Sequence, residues 1–310
     1  MISQMIRCGS RKILWSLWGV ASFSNAASIA YIHGDVGEDG STPSIEEPYD
    51  QMLIDDAGST GLTMFRDLVE SEGHVISQHY DVETELTETL LEEFDVIVFG
   101  LHQKIWSNAE KTALDDWLNA GGGMFIYSDS ASGGFHRVVG AQNSVGQTVT
   151  NNLITQYGMQ VTVDQANGVK KTTVVTTPFD ILTGGMILEG EGVSPVAVGD
   201  DSRVRILIPF EEGLRFTQNI TINNPSYAAL AISDVGDGHV AVMFDRQPMW
   251  NSGVGSNIQE EDNQEILRRM INFLAVRPVV EPPVELPVPD DNESSEATQI
   301  TPILLLLDES

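Results

Sequence analysis

The chain has 310 residues, with 45 acidic and 16 basic side chains, for a formal charge of −29 at neutral pH. Such a surface repels polyphosphate backbones and anionic lipid, which excludes nucleic acid as a partner class. A single cysteine, Cys8, excludes a disulfide framework and a cysteine-built metal site, so size must supply the stability.

Residues 1–26 read as a secretory signal peptide. Arg7, Arg11 and Lys12 form a basic leader, and the apolar run Ile13–Ala21 is too short to cross a bilayer. Ser24-Asn25-Ala26 then supplies small residues at the cleavage positions. Cleavage after Ala26 removes Cys8 together with three basic and no acidic residues, taking the charge from −29 to −32. The mature chain is expected to be thiol-free, secreted or periplasmic, and without a transmembrane segment. Its acidity suits solubility in salt, where screening relieves self-repulsion.

From Ala27 to about Ala275, apolar strands alternate with amphipathic helices, the pattern of a largely parallel sheet covered on both faces. Ser28–His33 is the first strand, followed by an acidic loop from Asp35 to about Gly58. A helix capped near Ser59 or Thr60 buries Leu62, Phe65 and Leu68 and stops at Gly73. His74–Gln78 is the second strand, and a short helix over Thr84–Glu93 leads into Asp95–Gly100, a strand apolar on both sides. Ser107-Asn-Ala-Glu110 is a capping box for a helix with Leu114, Trp117 and Leu118 inside. Met124–Tyr127 is the fourth strand and runs into the small-residue loop Ser128–Gly134. A helix over Val145–Tyr157 follows. The middle of the chain then turns β-rich, with strands over Ser202–Ile208 and Tyr227–Ile232 and a hairpin turn at Asp237-Gly238 into His239–Phe244. The last helix, Gln259–Ala275, buries Ile266, Leu267, Met270, Ile271 and Leu274. Residues 278–310 are rich in proline and acid and read as a disordered tail.

Ligands of open parallel sheets bind beyond the carboxyl ends of the strands. Those ends collect His33, Asp35, His102, Trp106, Ser128, Asp129, Asp245, Arg246 and Trp250 as candidate ligand-binding residues. Trp106 and Trp250 beside carboxylates suit stacking against a sugar, although each also suits a place in the core. Asp35, Asp129 and Asp245 with His33 or His102 could converge on a divalent cation. Asp35, Asp39, Gly40 and Glu46 match four calcium-loop positions, but Gly37 occupies a ligand position and a strand precedes the loop. Ser128 or Ser130 as a nucleophile lacks the G-x-S-x-G elbow.

Asp95–Asp129, together with Val242-Met-Phe-Asp-Arg-Gln247, resembles the class I glutamine amidotransferase-like superfamily. The resemblance implies a flavodoxin-like three-layer sandwich with a mostly parallel central sheet, here with a β-rich insertion between about Gln160 and Asn223. The family's nucleophilic cysteine would fall near Ser128 or Asp129, its histidine on Asp245 and its glutamate on Gln247. Without thiolate and imidazole, glutamine cannot be attacked, so amidotransferase activity is not expected. The run Phe244-Asp-Arg-Gln-Pro-Met-Trp-Asn251 is similar to divergent, ThuA-like members without the triad. That similarity implies a binding or accessory protein with a small-molecule or carbohydrate ligand. A carboxylate- or metal-dependent hydrolase using Asp35, His102, Asp129 and Asp245 is the competing expectation, and an acidic interaction module is a third.

Overall fold

The computed structural model describes residues 26–34, 52–81, 83–100, 102, 104–127, 145–162, 169–173, 181–191, 193–210, 220–253 and 255–276. The chain divides into two units, Met1–Arg277 and Pro278–Ser310, and every described residue belongs to the first. The readings of the leader, of Asp35 and its calcium-type loop, of Ser128, Asp129 and Ser130, and of the tail lie outside the described residues.

Five strands pair in parallel. They are β2 (Val75–Tyr80), β1 (Ser28–His33), β3 (Val96–Gly100), β4 (Gly123–Tyr127) and β11 (Gly238–Met243), side by side in that order. β3 and β4 are buried along their whole length, the state expected of parallel strands covered on both faces. β10 (Ser226–Val235) then pairs antiparallel with β11, and the sheet continues through β8 (Val196–Val198) to β5 (Met159–Val161). β9 (Val204–Pro209) also pairs with β10, beyond the stretch that β8 occupies. Among the described residues the result is a nine-stranded mixed sheet, with a separate antiparallel ladder of β6 (Val169–Thr173) and β7 (Ile187–Glu191).

Helices cover both faces because alternate strand residues feed two cores. On one face Tyr31, Val98, Phe125, Tyr127 and Met243 pack with α1 (Thr63–Ser71), α5 (Asn263–Leu274) and Leu188 of β7. On the other, Ile32, Ile97, Phe99, Ile126 and Val242 pack with α2 (Glu88–Leu91), α3 (Asn108–Asn119) and α4 (Val145–Ile154). One-residue alternation along β3 therefore sends Phe99 to one core and Val98 to the other.

Three differences between sequence and structure have a clear physical cause. Among the described residues, the parallel ladders number four and the antiparallel ladders within the large sheet also number four, so the sheet is less parallel than expected. The β-rich middle is the cause. It lends β5, β8 and β9 to the central sheet, and among the described residues β6 and β7 pair apart from it. The β10–β11 turn falls at Gly236-Asp237, one residue early, with Gly236 at φ 58. A Cβ there would meet the Asn119 backbone at 2.6 Å, so glycine is required by both conformation and space.

The third difference concerns α1, which starts at Thr63 and draws no capping side chain from Ser59 or Thr60. Its cap comes from the far end of the chain. Asn251 Oδ1 accepts the Met64 N–H at 2.8 Å, and Asn251 Nδ2 donates to the carbonyls of Asp56 and Gly58. A local propensity rule cannot find a cap 187 residues away.

Candidate functional site at the carboxyl ends of the strands

The parallel order reverses direction of growth at β1, so the crevice between β1 and β3 is where a ligand is expected. His33 ends β1 and is buried, its ring 5.9 Å from that of Tyr31 and 6.5 Å from that of Tyr80. Its carbonyl accepts the Asp81 N–H at 2.9 Å. Buried Asp81 in turn accepts the Lys104 N–H at 2.9 Å, which draws the segment after β3 against the end of β2.

Lys104 is the hub of this rim. Its Nζ donates to the Thr84 carbonyl at 2.7 Å and to Glu110 Oε1 at 2.7 Å, and lies 4.5 Å from the centre of the Trp106 ring. Glu110 Oε2 accepts the Ser107 N–H at 2.9 Å, while Ser107 Oγ accepts the Glu110 N–H at 3.2 Å. The capping box therefore forms as the sequence indicates, with a lysine as its third member. Burial pushes the Glu110 carboxyl up, but Lys104 and the two Ser107 contacts outweigh it, and the net shift is downward. His102 and Trp106 are both buried and stack edgewise on Phe99, at ring distances of 5.3 and 5.7 Å.

At the carboxyl end of β11, Asp245 is fully buried. Its Oδ1 accepts the N–H groups of Arg246 at 2.7 Å and Gln247 at 3.3 Å, and Oδ2 accepts the Glu191 N–H at 2.6 Å. Gly190 makes the approach feasible, since a Cβ there would lie 2.7 Å from Asp245 Oδ2. The carboxylate thus turns the chain after β11 and ties down the end of β7. Buried Arg246 lies over the Trp250 ring, 5.0 Å from its centre.

Between these two rims the sheet ends are filled by the protein's own side chains. The hydroxyls of Tyr31 and Tyr127 meet at 2.8 Å, and Tyr31 also donates to the Met52 carbonyl at 2.9 Å. Burial holds the Tyr31 phenol well above its ordinary range, against the lowering influence of Tyr127 and of the Arg246 charge. Both hydroxyls sit where a Cβ on Gly100 would be, at 2.3 and 2.4 Å.

The structure therefore separates residues that the sequence grouped. His102 and Trp106 belong with the α3 side of the sheet, whereas Asp245, Arg246 and Trp250 belong with the α5 side. Trp106 and Trp250 pack into different cores and do not face each other across one cleft. Of the hydrolase constellation, His102 packs on Phe99 and Asp245 binds the end of β7, while Asp35 and Asp129 lie outside the described residues. Among the described residues, no group of three or more histidines and carboxylates is placed to hold a metal ion.

Sequence reasoning missed Asp81, Lys104, Tyr31, Tyr127 and Asn263. Buried Asn263 accepts the Glu189 N–H and donates to the carbonyls of Glu189 and Asn257, splinting β7 to the start of α5. The available signal was a polar residue opening an apolar helix, which reads as an ordinary first-turn residue until β7 is in place.

No protein-family model and no curated protein matches this chain. Solved structures do. The N-terminal domain of mmIFT52 superposes with a TM-score of 0.54 at 12% identity, covering 80% of this chain and 97% of that one. A cytoplasmic protein of Salmonella typhimurium LT2 gives a TM-score of 0.50 at 13% identity, over 80% of this chain and 99% of that one. A ThuA-like protein from Bacteroides uniformis ATCC 8492 gives 0.48 at 12% identity, over 82% and 94%. At such identities the first two likenesses speak for the fold alone: a mixed α/β sheet layered between helices.

Proposed function

We propose that this chain is an exported, amidotransferase-like domain of flavodoxin-like layout that lacks the catalytic triad and works as a binding or accessory module. The observation that carries the reading is Asp245. The residue standing where the resemblance calls for the imidazole is a buried carboxylate whose two oxygens accept three backbone N–H groups. A base must be able to reach a substrate proton, and this one turns the chain instead. The parallel order β2-β1-β3-β4-β11 supports the flavodoxin-like layout.

Carbohydrate is the ligand class we favour, on the similarity of Phe244–Asn251 to ThuA-like sequences. The rim we favour is the β1–β3 crevice, where buried His33 ends β1 and buried His102 and half-exposed Ile105 follow β3. Export rests on the leader's basic, apolar and small-residue segments. The test is a glycan array probed with the purified chain, with glutamine turnover assayed alongside. Binding of at least one glycan class, its weakening in Ile105→Asp, and no ammonia released from glutamine are expected. Hydrolysis of glutamine would overturn the reading; an empty array would remove carbohydrate from it. Amino-terminal sequencing of the secreted protein is expected to begin at Ala27.

A further inference from the structure

α2 and α3 turn Leu91, Leu114 and Leu118 into the sheet and leave a groove of about 650 Å³ between their outer faces. Ala109, Ala113, Ala120 and the Trp117 indole form its floor; Glu88 and Glu92 stand on the α2 side and Asp116 on the α3 side. The α3 residues recur at helical spacing along one stripe, roughly 16 Å long at the rise of an α-helix. Small side chains there let a second backbone approach closely.

The floor is held rigid. The Trp117 Nε1 donates to the Phe94 carbonyl at 3.2 Å, and the indole lies so close to Gly122 that a Cβ there would meet it at 2.4 Å. Among the described residues none of the three carboxylates has an ion-pair partner, and the groove lining contains no basic side chain.

We propose that this groove docks a basic amphipathic helix of a partner protein. Its lysines or arginines would pair with Glu88, Glu92 and Asp116 while small apolar residues lie on the alanines and Trp117. Charge argues for that occupant over a second copy, because two chains of −29 repel. It also argues against the chain's own apolar terminus, Ile303–Leu307, which is followed by Asp308 and Glu309. The inference is independent of the ligand rim at the strand ends.

The test is fluorescence anisotropy of a labelled helix of lysine, alanine and leucine repeats against the full chain, at about 0.15 M salt to suppress loose attraction. Saturable binding is expected. Glu92→Lys with Asp116→Lys is expected to weaken it at least about tenfold. Thr112→Arg, which fills the groove and leaves both acids in place, is expected to weaken it likewise. Glu70→Lys with Glu83→Lys makes the same charge change at exposed sites outside the groove lining and is expected to alter the affinity less than about twofold. Absence of saturable binding, equal weakening by both charge pairs, or groove-dependent binding of free spermine in place of the helix would each overturn the proposal.

Discussion

The carboxyl ends of β3 and β11 carry the same kind of equipment, a buried acid, a cation and a tryptophan, and use it differently. Beyond β11 the acid is Asp245, spent on backbone N–H groups, while Arg246 rests on Trp250. Beyond β3 the acid is Glu110, and Lys104 bridges it to Thr84 and to the Trp106 ring. The first arrangement holds two chain segments in a turn, with both carboxylate oxygens accepting backbone N–H groups. The second is an ion pair near the surface, with Lys104 partly exposed, and it can be perturbed by pH and salt. Residue type alone therefore does not mark a site; what the carboxylate accepts decides it.

The comparison breaks most directly at Asp245. Asp245→Ala leaves three N–H groups without their acceptor, at least one of them deeply buried, and is expected to cost about 3–5 kcal/mol in urea denaturation. A loss under about 1 kcal/mol would mean that the carboxylate is not the brace described. Next is the plug between the rims. Gly100→Ala drives a methyl into the Tyr31 and Tyr127 hydroxyls and is expected to cost about 1–3 kcal/mol, partly recovered by adding Tyr127→Phe.

Glu110→Gln should be milder, about 1–2 kcal/mol, because the lysine it deserts can turn to water. Its pH signature sharpens the contrast. Because folding lowers the Glu110 pKa, its contribution is complete above the ordinary glutamate range and is lost as pH falls through the lowered value. The acid limb of the stability profile should flatten in Glu110→Gln; an unchanged limb would dissociate Lys104 from the effect.

The smallest effect is expected on α5. There Arg268, and secondarily Arg269, outweigh a raising contribution from burial and hold Glu265 down at about 2. Glu265→Gln should shift neutral-pH stability by no more than about 0.5 kcal/mol, since exposed pairs are screened. The contribution it does make is present above the ordinary glutamate range and disappears as pH falls toward 2. A thermal-melt series at low and high salt measures it.

Much of the parallel half was legible from residues 27–127 and 238–276. β1, the α3 capping box and the five buried positions of α5 follow from short-range rules of apolar spacing and capping. The middle of the chain was not. Strands such as β5 and β8 are three residues long, and whether they stand apart or extend an existing sheet depends on the open edge that β10 offers. Of the candidate site, the positions at strand ends were legible as positions. Which core each side chain joins was not, because the face taken by a residue beyond a strand end follows no periodicity.

Charge, the lone cysteine and the alternation of strands with helices are properties of composition and local pattern, and no folding could alter what they exclude. The cap of α1 by Asn251, the commitment of Asp245 to Glu191 across 54 residues, and the parting of Trp106 from Trp250 arose only when distant segments met. Hydrogen bonding and burial are settled by whichever groups lie within a few ångströms, and separation along the chain carries no record of that distance.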